Sequence, residues 1–288
     1  MHSSTALIEK RHCAISVLRE HRAVLVALSG GVDSAVLLAI ACEALGSGNV
    51  LAVTGRSASV TEQEVQDAAQ VAEALGARHE VVETRELDRP AYRANGGDRC
   101  FHCRTELFEV LGRMALARGI GAIAYGAIVD DLGDDRPGMA AARGLGILAP
   151  LLDANISKSD VRALANQFDL HIHDKPANAC LASRIPIGRE VTLHGLHEVA
   201  QAENALRELG FRRFRVRHHG EIARIELAEG EAPRLTDERT RAEVIRSVKE
   251  AGFRFVAVDL EDYGASRGEP VAVAARLYSI APHRDSGQ

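Results

Sequence analysis

The stretch VLVALSGGVDSAVLLAI, from Val24 to Ile40, constrains the fold more than any other part of the chain. An apolar run, a glycine pair with an aspartate and a second apolar run predict a buried strand, a tight loop and a helix. Glycines let the backbone approach a ligand closely, and the free N–H groups at a helix N-terminus attract anions. The sequence therefore predicts an anion site built from Ser29, Gly30, Gly31, Asp33 and Ser34.

Strands and helices alternate through residues 1–172. The predicted strands are short and apolar: Val24–Leu28, Val50–Thr54, His79–Val82 and Ala122–Tyr125. Segments with helical periodicity separate them: 5–21, Ser34–Leu45, Thr61–Leu75 and Glu106–Ala117. This order is typical of an α/β domain with a doubly wound, mostly parallel sheet. The anion site then lies at the carboxyl end of a strand, where such sheets bind ligands.

The remaining chain has a different character. Residues 173–190 have no period and contain two prolines and Cys180, so we predict a linker loop that belongs to the active site. Residues 191–276 predict a smaller C-terminal α+β domain, and residues 277–288 a tail. The predicted elements of the C-terminal domain are a helix at Val191–Leu209, strands at Arg213–His218 and Ile222–Leu227, a helix at Asp237–Ala251 and a strand at Phe253–Asp259.

Composition narrows the class of protein. The chain has 288 residues and a formal charge of -5, which argues against a large nucleic-acid surface. No apolar run approaches the roughly 20 residues that span a bilayer, and the N-terminus lacks a signal-peptide core. We therefore expect a cytoplasmic protein without a membrane or nucleic-acid partner. The odd number of cysteines, five, favours metal or catalytic roles over a disulfide framework.

The string Ser29-Gly30-Gly31-Val32-Asp33-Ser34 has no lysine and so differs from the common GxxxxGK[ST] phosphate loop. It resembles the pyrophosphate loop (PP-loop) of the ATP pyrophosphatases, which cleave ATP between its α and β phosphates. The resemblance implies an adenine nucleotide alpha hydrolase-like fold. It also implies that Ser29, Gly30, Gly31 and Ser34 hold the pyrophosphate and that Asp33 helps to hold Mg²⁺.

Four further stretches narrow the resemblance: DRCFHCRTELF, YGAIVDDLGDDRPG, DKPANACLASRIPIG and RVRHHGEIARIE, which begin at Asp98, Tyr125, Asp174 and Arg215. Together they resemble the LarE family, whose ATP-dependent sulfur transferases help to make the nickel-pincer nucleotide cofactor. The resemblance implies that a carboxylate of a pyridinium mononucleotide is adenylated and that sulfur replaces AMP, giving a thiocarboxylate. It also implies a homo-oligomer.

The cysteines leave the source of sulfur open. Family resemblance implies either a [4Fe-4S] cluster held by three cysteines or a sacrificial Cys180 that loses its own sulfur. The C-x₂-C pair Cys100 and Cys103, together with Cys180, favours the cluster, because cluster iron prefers thiolate ligands. Zinc, with His102 or His173 as fourth ligand, and a disulfide between Cys100 and Cys103 are the remaining alternatives. We interpret Cys13 and Cys42 as apolar filler.

Several charged or polar residues are further candidates. Alternation on a strand places Arg213, Arg215, Arg217 and His219 on one face, and we expect Arg215 and Arg217 to bind phosphate. Glu203 falls within the apolar stripe of a helix, so it is either a catalytic carboxylate or one member of an ion pair. We expect substrate, nucleotide or Mg²⁺ contacts from Ser57, Asp131 with its neighbours Asp130 and Asp134, Ser183 and Arg184. The alternatives are that Ser57 belongs to an ordinary polar loop, that the aspartates form a solvated acidic turn and that Arg184 is a surface arginine.

The chain departs from the LarE pattern at Ala127 and Ile128, where relatives often carry two polar residues. This departure bears on the substrate more than on the ATP chemistry. Three other functions therefore stay open. One is an amide-forming synthetase of the NAD or GMP synthetase type, another is a tRNA thiolase, and the third is a catalytically silent nucleotide-binding module. An amide synthetase has no use for three cysteines, and the acidic net charge counts against tRNA.

Overall fold

The computed structural model describes residues 2–132, 137–175, 179–261 and 263. Its helices are α1 His2–Arg19, α2 Val32–Leu45, α3 Glu62–Ala74, α4 Pro90–Arg93, α5 Arg99–Ala117, α6 Pro137–Gly144, α7 Pro150–Asp153, α8 Lys158–Gln167, α9 Leu193–Glu208 and α10 Glu238–Glu250. Its strands are β1 Val24–Ala27, β2 Val50–Arg56, β3 Arg78–Glu83, β4 Ala122–Tyr125, β5 Phe214–His219, β6 Ile222–Leu227 and β7 Phe255–Val258.

The first sheet contains four parallel strands in the order β3-β2-β1-β4. Strand β1 is central, with Val24 opposite Val50 of β2 on one side and Ala122 of β4 on the other. All four strands therefore end at the same edge of the sheet. The predicted α/β domain is confirmed, and the loop after β1 lies in the middle of that edge.

Helices cover both faces of this sheet. Val24 and Val26 pack into the core beneath α1, α2 and α8, whereas Leu25 packs into the core beneath α5 on the opposite face. Alternate residues of a strand point to opposite faces, so a strand covered on both sides reads as a continuous apolar run. Strand β3 lies at the sheet edge and is only partly buried, which explains its polar composition.

The second sheet contains three strands in the order β5-β6-β7. Strand β6 pairs antiparallel with β5 and parallel with β7. Its core joins Val216 and Ile225 to Val199 of α9 and Val248 of α10. The smaller α+β unit predicted from the sequence is confirmed. Its core also includes residues from before α5 and from the linker, namely Tyr92, Leu181 and Ile185.

Two local features bear on the site. Thr61 caps α3, since its Oγ1 accepts a hydrogen bond from the N–H of Glu64 at 3.3 Å and its own N–H donates to Glu64 Oε2 at 3.0 Å. This is the capping box that the sequence predicts. Helix α5 begins at Arg99, earlier than the predicted Glu106, because CFHCRT has no clear apolar period. Cys100 and Cys103 therefore lie in its first turns.

Candidate functional site

The loop after β1 is held in shape by its own serines. The backbone N–H of Ser29 donates to Ser34 Oγ at 3.1 Å, and the two hydroxyl oxygens lie 3.1 Å apart. Ser34 Oγ also donates to the carbonyl oxygen of Gly31 at 3.0 Å. These bonds tie the start of the loop to the first turn of α2, so that the N-terminus of α2 and the loop amides form one anion-binding surface.

Two glycines allow other elements to touch this loop. Gly30 adopts φ +71°, and a Cβ there would lie 2.3 Å from the carbonyl oxygen of Glu64 in α3. Gly126, just after β4, would place a Cβ 2.8 Å from the backbone nitrogen of Ser34. The loop is therefore wedged between α3 and the end of β4, and neither glycine has room for a side chain.

Two lysines that the sequence analysis missed meet the loop. Lys158, the first residue of α8, places Nζ 2.7 and 2.8 Å from the two carboxylate oxygens of Asp33. Lys175 donates from Nζ to the carbonyl oxygen of Gly30 at 2.7 Å and pairs with Asp67 of α3. The motif lacks a lysine, but the tertiary structure supplies two. No local sequence pattern indicates them, because both lie far from the loop in the chain.

Acidic residues surround Asp33 as well. Burial raises the pKa of Asp33, Lys158 lowers it, and the charges of Asp131 and Asp130 raise it again. Asp130 Oδ2 accepts from the backbone N–H of Lys158 at 2.8 Å, and Asp131 Oδ2 accepts from the N–H of Ile128 at 3.1 Å. The structure thus brings the predicted residues Asp33 and Asp131 together. Asp134 lies outside the described residues.

The three candidate thiols come from two elements. Cys100 and Cys103 lie on α5, and Cys180 immediately precedes the 3-10 helix Leu181–Arg184. Cys103 and Cys180 pack against the same apolar cluster. Burial raises the pKa of Cys103, and the charges of Glu86, Cys180 and Cys100 raise it further. Burial also raises the pKa of Cys180. There Arg99 acts to lower the pKa and Cys100 acts to raise it. The three thiols therefore interact electrostatically.

A chain of contacts joins Cys180 to the loop region. The N–H of Leu181, next to Cys180, donates to the carbonyl oxygen of Ser59 at 2.9 Å. Ser59 lies between β2 and α3, and α3 carries the Glu64 carbonyl that touches Gly30. Ser57, at the end of β2, accepts from the N–H of Ser59 at 3.2 Å. The thiols thus lie at the same edge of the sheet as the anion site.

The carboxylate of Glu203 is buried in an ion pair. It is 1% exposed, and Oε1 accepts from Arg184 Nε at 2.8 Å and from the N–H of Val216 at 3.2 Å. Arg207 binds the second oxygen at 3.1 Å. Arg184 is 3% exposed and also donates to the carbonyl oxygen of Ala179 at 2.6 Å. Of the two sequence alternatives for Glu203, the structure shows the ion pair, which fixes the backbone beside Cys180.

The basic strand β5 has anionic partners within the protein. Arg217 donates from Nε to Glu226 Oε1 at 2.9 Å and from Nη1 to the carbonyl oxygen of Ser183 at 2.9 Å. Arg215 lies opposite Glu226 in the strand register, with its guanidinium 4.6 Å from the ring centroid of Tyr263. We expected external anions between these arginines. Glu226, which the sequence analysis missed, is an internal anionic partner of Arg217 on this face.

Comparison with known proteins agrees with this arrangement. The NAD synthase family model matches residues 16–117, which include the loop after β1. Over 275 residues, 96% of this chain and 99% of the relative, the chain is 34% identical to pyridinium-3,5-bisthiocarboxylic acid mononucleotide synthase of Lactiplantibacillus plantarum. The chain belongs to the LarE family. An uncharacterized protein of Synechocystis is 39% identical over 243 residues, which cover 84% of this chain and 90% of the Synechocystis protein.

The match to NAD synthetases is shorter. The ammonia-dependent NAD synthetase of Methanococcoides burtonii is 46% identical over 57 residues, which is 20% of this chain and 22% of the relative. This LarE-family chain is therefore an ATP-using enzyme of the PP-loop type. In the part of the chain that the structure describes, no helix is both long enough and apolar enough to span a bilayer.

A metal site in this LarE-family chain would require several His, Cys, Asp or Glu side chains close together. Among the described residues, no three His, Cys, Asp or Glu side chains are grouped so as to hold a single ion. His102 Nε2 lies 3.0 Å from Asp98, and His173 Nε2 lies 3.0 Å from Asp174. The zinc alternative therefore finds no support here. A [4Fe-4S] cluster poses a different requirement, because each thiolate binds a different iron.

Proposed function

We propose that this chain is an ATP-dependent sulfur transferase that acts on a pyridinium mononucleotide. It adenylates a ring carboxylate and replaces AMP with sulfur to give a thiocarboxylate. The observation that carries the proposal is that the thiol segment and the loop after β1 meet at one sheet edge, where Lys175 binds Gly30 and Leu181 binds Ser59. The activity for which the Lactiplantibacillus plantarum relative is named, synthesis of pyridinium-3,5-bisthiocarboxylic acid mononucleotide, supports the substrate class.

The loop after β1 would take the β and γ phosphates of ATP. Ser29, Gly30, Gly31 and Ser34 present backbone and hydroxyl groups there, and Lys158 and Lys175 add positive charge. Asp33 would hold Mg²⁺ together with phosphate oxygens, since Mg²⁺ is commonly bound by one or two carboxylates plus substrate phosphates. Asp130 and Asp131 add negative charge beside it. Ser57 is the proposed contact to the rest of the nucleotide.

The reaction has two displacements. An oxygen of the ring carboxylate attacks the α phosphorus, the bond to the bridging oxygen breaks, and pyrophosphate leaves with the electron pair. A sulfur nucleophile then attacks the acyl carbon, and the carbon–oxygen bond to AMP breaks. Positive groups at the loop offset the charge that develops on pyrophosphate, which makes it a better leaving group. Because burial raises the pKa of Cys103 and of Cys180, either thiol would have to lose its proton before it acts as a nucleophile or a ligand.

Cys100, Cys103 and Cys180 are the residues that would hold a [4Fe-4S] cluster. Their chemistry would fit, because cluster iron prefers thiolate ligands and the three thiols lie within electrostatic range of one another. When bound, the cluster would supply an iron site able to carry an extra sulfide. In the sacrificial alternative, Cys180 Sγ attacks the acyl carbon and AMP leaves. A base then takes the Cα proton, the Cβ–Sγ bond breaks, and the thiocarboxylate departs with the sulfur and leaves dehydroalanine.

The second domain is proposed to position the substrate. Arg215 and Arg217 lie on the strand face that meets the Cys180 segment, where Arg217 binds the carbonyl oxygen of Ser183. We propose that they attract the substrate phosphate and that Ser183 contacts it. We propose that the Arg184–Glu203 pair fixes the Cys180 backbone rather than exchanging protons, because both oxygens of Glu203 accept from guanidinium groups and Arg184 also binds the carbonyl oxygen of Ala179.

An amide-forming synthetase is the second candidate, supported by the NAD synthase match. One assay separates the two. Purified enzyme and a Cys180→Ala variant are given ATP and nicotinic acid mononucleotide, with sulfide or ammonia as donor, while AMP and product mass are followed. Sulfur transfer predicts a thiocarboxylate that requires Cys180. Amide formation with ammonia, equal in both proteins, would contradict the proposal.

A further inference from the structure

Glu86 is a buried carboxylate that the steps above do not use. It begins the 3-10 helix Glu86–Asp88, close after the carboxyl end of β3, and is 2% exposed. Ser57 Oγ donates a hydrogen bond to its Oε1. Its other oxygen, Oε2, is buried and has no hydrogen-bond partner within the described residues. The carboxylate is therefore only half satisfied by the part of the protein that the structure describes.

A buried carboxylate oxygen without a partner costs free energy unless a hydrogen-bond donor or a positive charge lies next to it. Buried polar atoms in folded proteins nearly always have partners, and an ionised carboxylate is more expensive to bury than a neutral group. The guanidinium of Arg99, which acts on the Cys180 thiol, donates to Asn95 Oδ1 at 2.6 Å and to the carbonyl oxygen of Ala182 at 2.8 Å. Arg104 instead lies over the ring of Tyr125, 5.4 Å from its centroid.

Glu86 lies beside the thiols. Helix α5, which carries Cys103, packs against the 3-10 helix that begins with Glu86. The negative charge of Glu86 raises the pKa of both Cys103 and Tyr92, which places it within electrostatic range of each. Its chain neighbour Leu87 joins the same apolar cluster as Cys103 and Cys180. The carboxylate with the unpartnered oxygen thus lies within electrostatic range of Cys103, one of the thiols proposed to handle sulfur.

We infer that Glu86 recognises the positive charge of the substrate's pyridinium ring and holds the ring beside Cys103 and Cys180. This inference rests on the proposed function, because only that reaction brings a cationic ring to the thiols. The ring nitrogen carries a permanent charge that a buried carboxylate attracts strongly in a site of low polarity. The ring C–H groups beside that nitrogen give weak donors for Oε2. Ser57 keeps the carboxylate in place through Oε1.

The test compares two ligands that differ in ring charge. Nicotinic acid mononucleotide carries the pyridinium charge, whereas its 1,4-dihydropyridine form does not. Their affinities are measured by calorimetry for the wild-type protein, Glu86→Gln and Asp88→Asn. Glutamine keeps the shape and an oxygen for Ser57 but removes the charge. Asp88 lies on the same 3-10 helix but is exposed, so its variant controls for a change of net charge.

We expect the wild-type protein and Asp88→Asn to bind the charged ligand on the order of tenfold more tightly than the uncharged one. In Glu86→Gln this ratio should fall toward one, while ATP affinity, measured in parallel as a check of folding, stays the same. An unchanged ratio in Glu86→Gln would overturn the inference and leave the proposed function standing. Failure of the wild-type protein to bind either mononucleotide would overturn both.

If Glu86→Gln does not fold, Glu86→Asp provides a second variant. It keeps the charge but draws the carboxylate back by one methylene. The charged ligand should then keep most of its preference over the uncharged one, with both affinities lowered. Loss of the preference in Glu86→Asp, with ATP affinity intact, would contradict a role based on charge.

Discussion

Lys175 donates a hydrogen bond from Nζ to the carbonyl oxygen of Gly30 at 2.7 Å, which ties the segment before Cys180 directly to the loop after β1. The same ammonium group pairs with Asp67 of α3. One side chain therefore links the nucleotide loop, the helix behind it and the thiol segment.

Gly30→Ala should weaken both folding and ATP binding. The residue has φ +71°, and a Cβ would lie 2.3 Å from the Glu64 carbonyl oxygen, which is backbone and cannot turn away. Thermal unfolding and ATP titration measure the two effects. Gly46→Ala is the matched control, because Gly46 has φ +79° but no atom within 4 Å of its Cβ position. It should cost about 1–2 kcal/mol and leave ATP affinity unchanged. Equal behaviour of the two variants would contradict the steric argument.

Lys158→Met should shift the pH dependence of ATP binding. Burial and the charges of Asp131 and Asp130 raise the pKa of Asp33, and Lys158 opposes them, so its removal raises that pKa further. The proposed Mg²⁺ contact requires the ionised carboxylate of Asp33, so Mg²⁺-dependent ATP binding should be lost at a higher pH as the solution is acidified. Fluorescence titration with an ATP analogue from pH 5 to 9 measures the midpoint.

The control for this shift is Lys10→Met. Lys10 Nζ lies 2.6 Å from Asp160 Oδ2, and Asp160 lies on α8 as Lys158 does. Asp33 pairs with Lys158 instead of Lys10. Removal of Lys10 should leave the midpoint where it is in the wild-type protein. Parallel pH curves for Lys158→Met and the wild-type protein, differing only in overall affinity, would show that Lys158 does not act on Asp33.

Glu203→Ala should destabilise the fold strongly. It leaves the guanidinium of Arg184, 3% exposed, without its carboxylate partner, and such a loss typically costs about 3–5 kcal/mol. Urea unfolding measures the change. Replacing both residues by apolar ones, Arg184→Met with Glu203→Leu, should recover much of the loss because no buried charge remains.

Surface pairs give the comparison for Glu203. Arg246 and Glu250 pair at 3.0 Å on α10 but are largely exposed. Glu250→Ala should therefore change the free energy of unfolding by less than about 1 kcal/mol. If Glu203→Ala unfolds at the same urea concentration as Glu250→Ala, the buried pair does not have the structural role described above.

Single serine variants of the cysteines should separate the two sulfur mechanisms. If a cluster carries the sulfur, Cys100→Ser, Cys103→Ser and Cys180→Ser should each lose iron, acid-labile sulfide and thiocarboxylate formation in protein purified without oxygen. Cys42→Ser is the control, since burial raises the pKa of Cys42 to about 11 and keeps it an unreactive core thiol. Absorption spectra and metal analysis measure the result.

The sacrificial mechanism predicts another pattern. Only Cys180→Ser would then abolish product, and the mass of the reacted wild-type protein would fall by the elements of hydrogen sulfide. Iron-free protein that forms product with Cys100 and Cys103 replaced would exclude the cluster. Product that depends on all three thiols, without loss of mass, would exclude the sacrificial route.

Local sequence patterns were sufficient for the strands, for the long helices around the central motif and for the motif itself, but the analysis missed the helices Pro137–Gly144, Pro150–Asp153 and Lys158–Gln167. The apolar run from Val24, the alternation of strands and helices, and the Thr61–Glu64 capping box all depend on residues close together in the chain. The start of α5 was predicted too late because the segment around Cys100 and Cys103 has no amphipathic period. Hydrophobic periodicity reflects burial, and here Cys100 is exposed whereas Cys103 is only partly buried.

The sequence by itself determined the parallel sheet, the loop after β1 and the elements that carry the cysteines, because strand periods, glycine turns and helix caps are local. Only the tertiary structure decided which charges meet. Lys158 contacts Asp33, Lys175 contacts Gly30 and Arg184 contacts Glu203, although the two residues of each pair are far apart in the sequence. Glu86 became a half-satisfied buried carboxylate for the same reason. Burial and pairing of charge depend on how separate elements pack, and no local pattern encodes that packing.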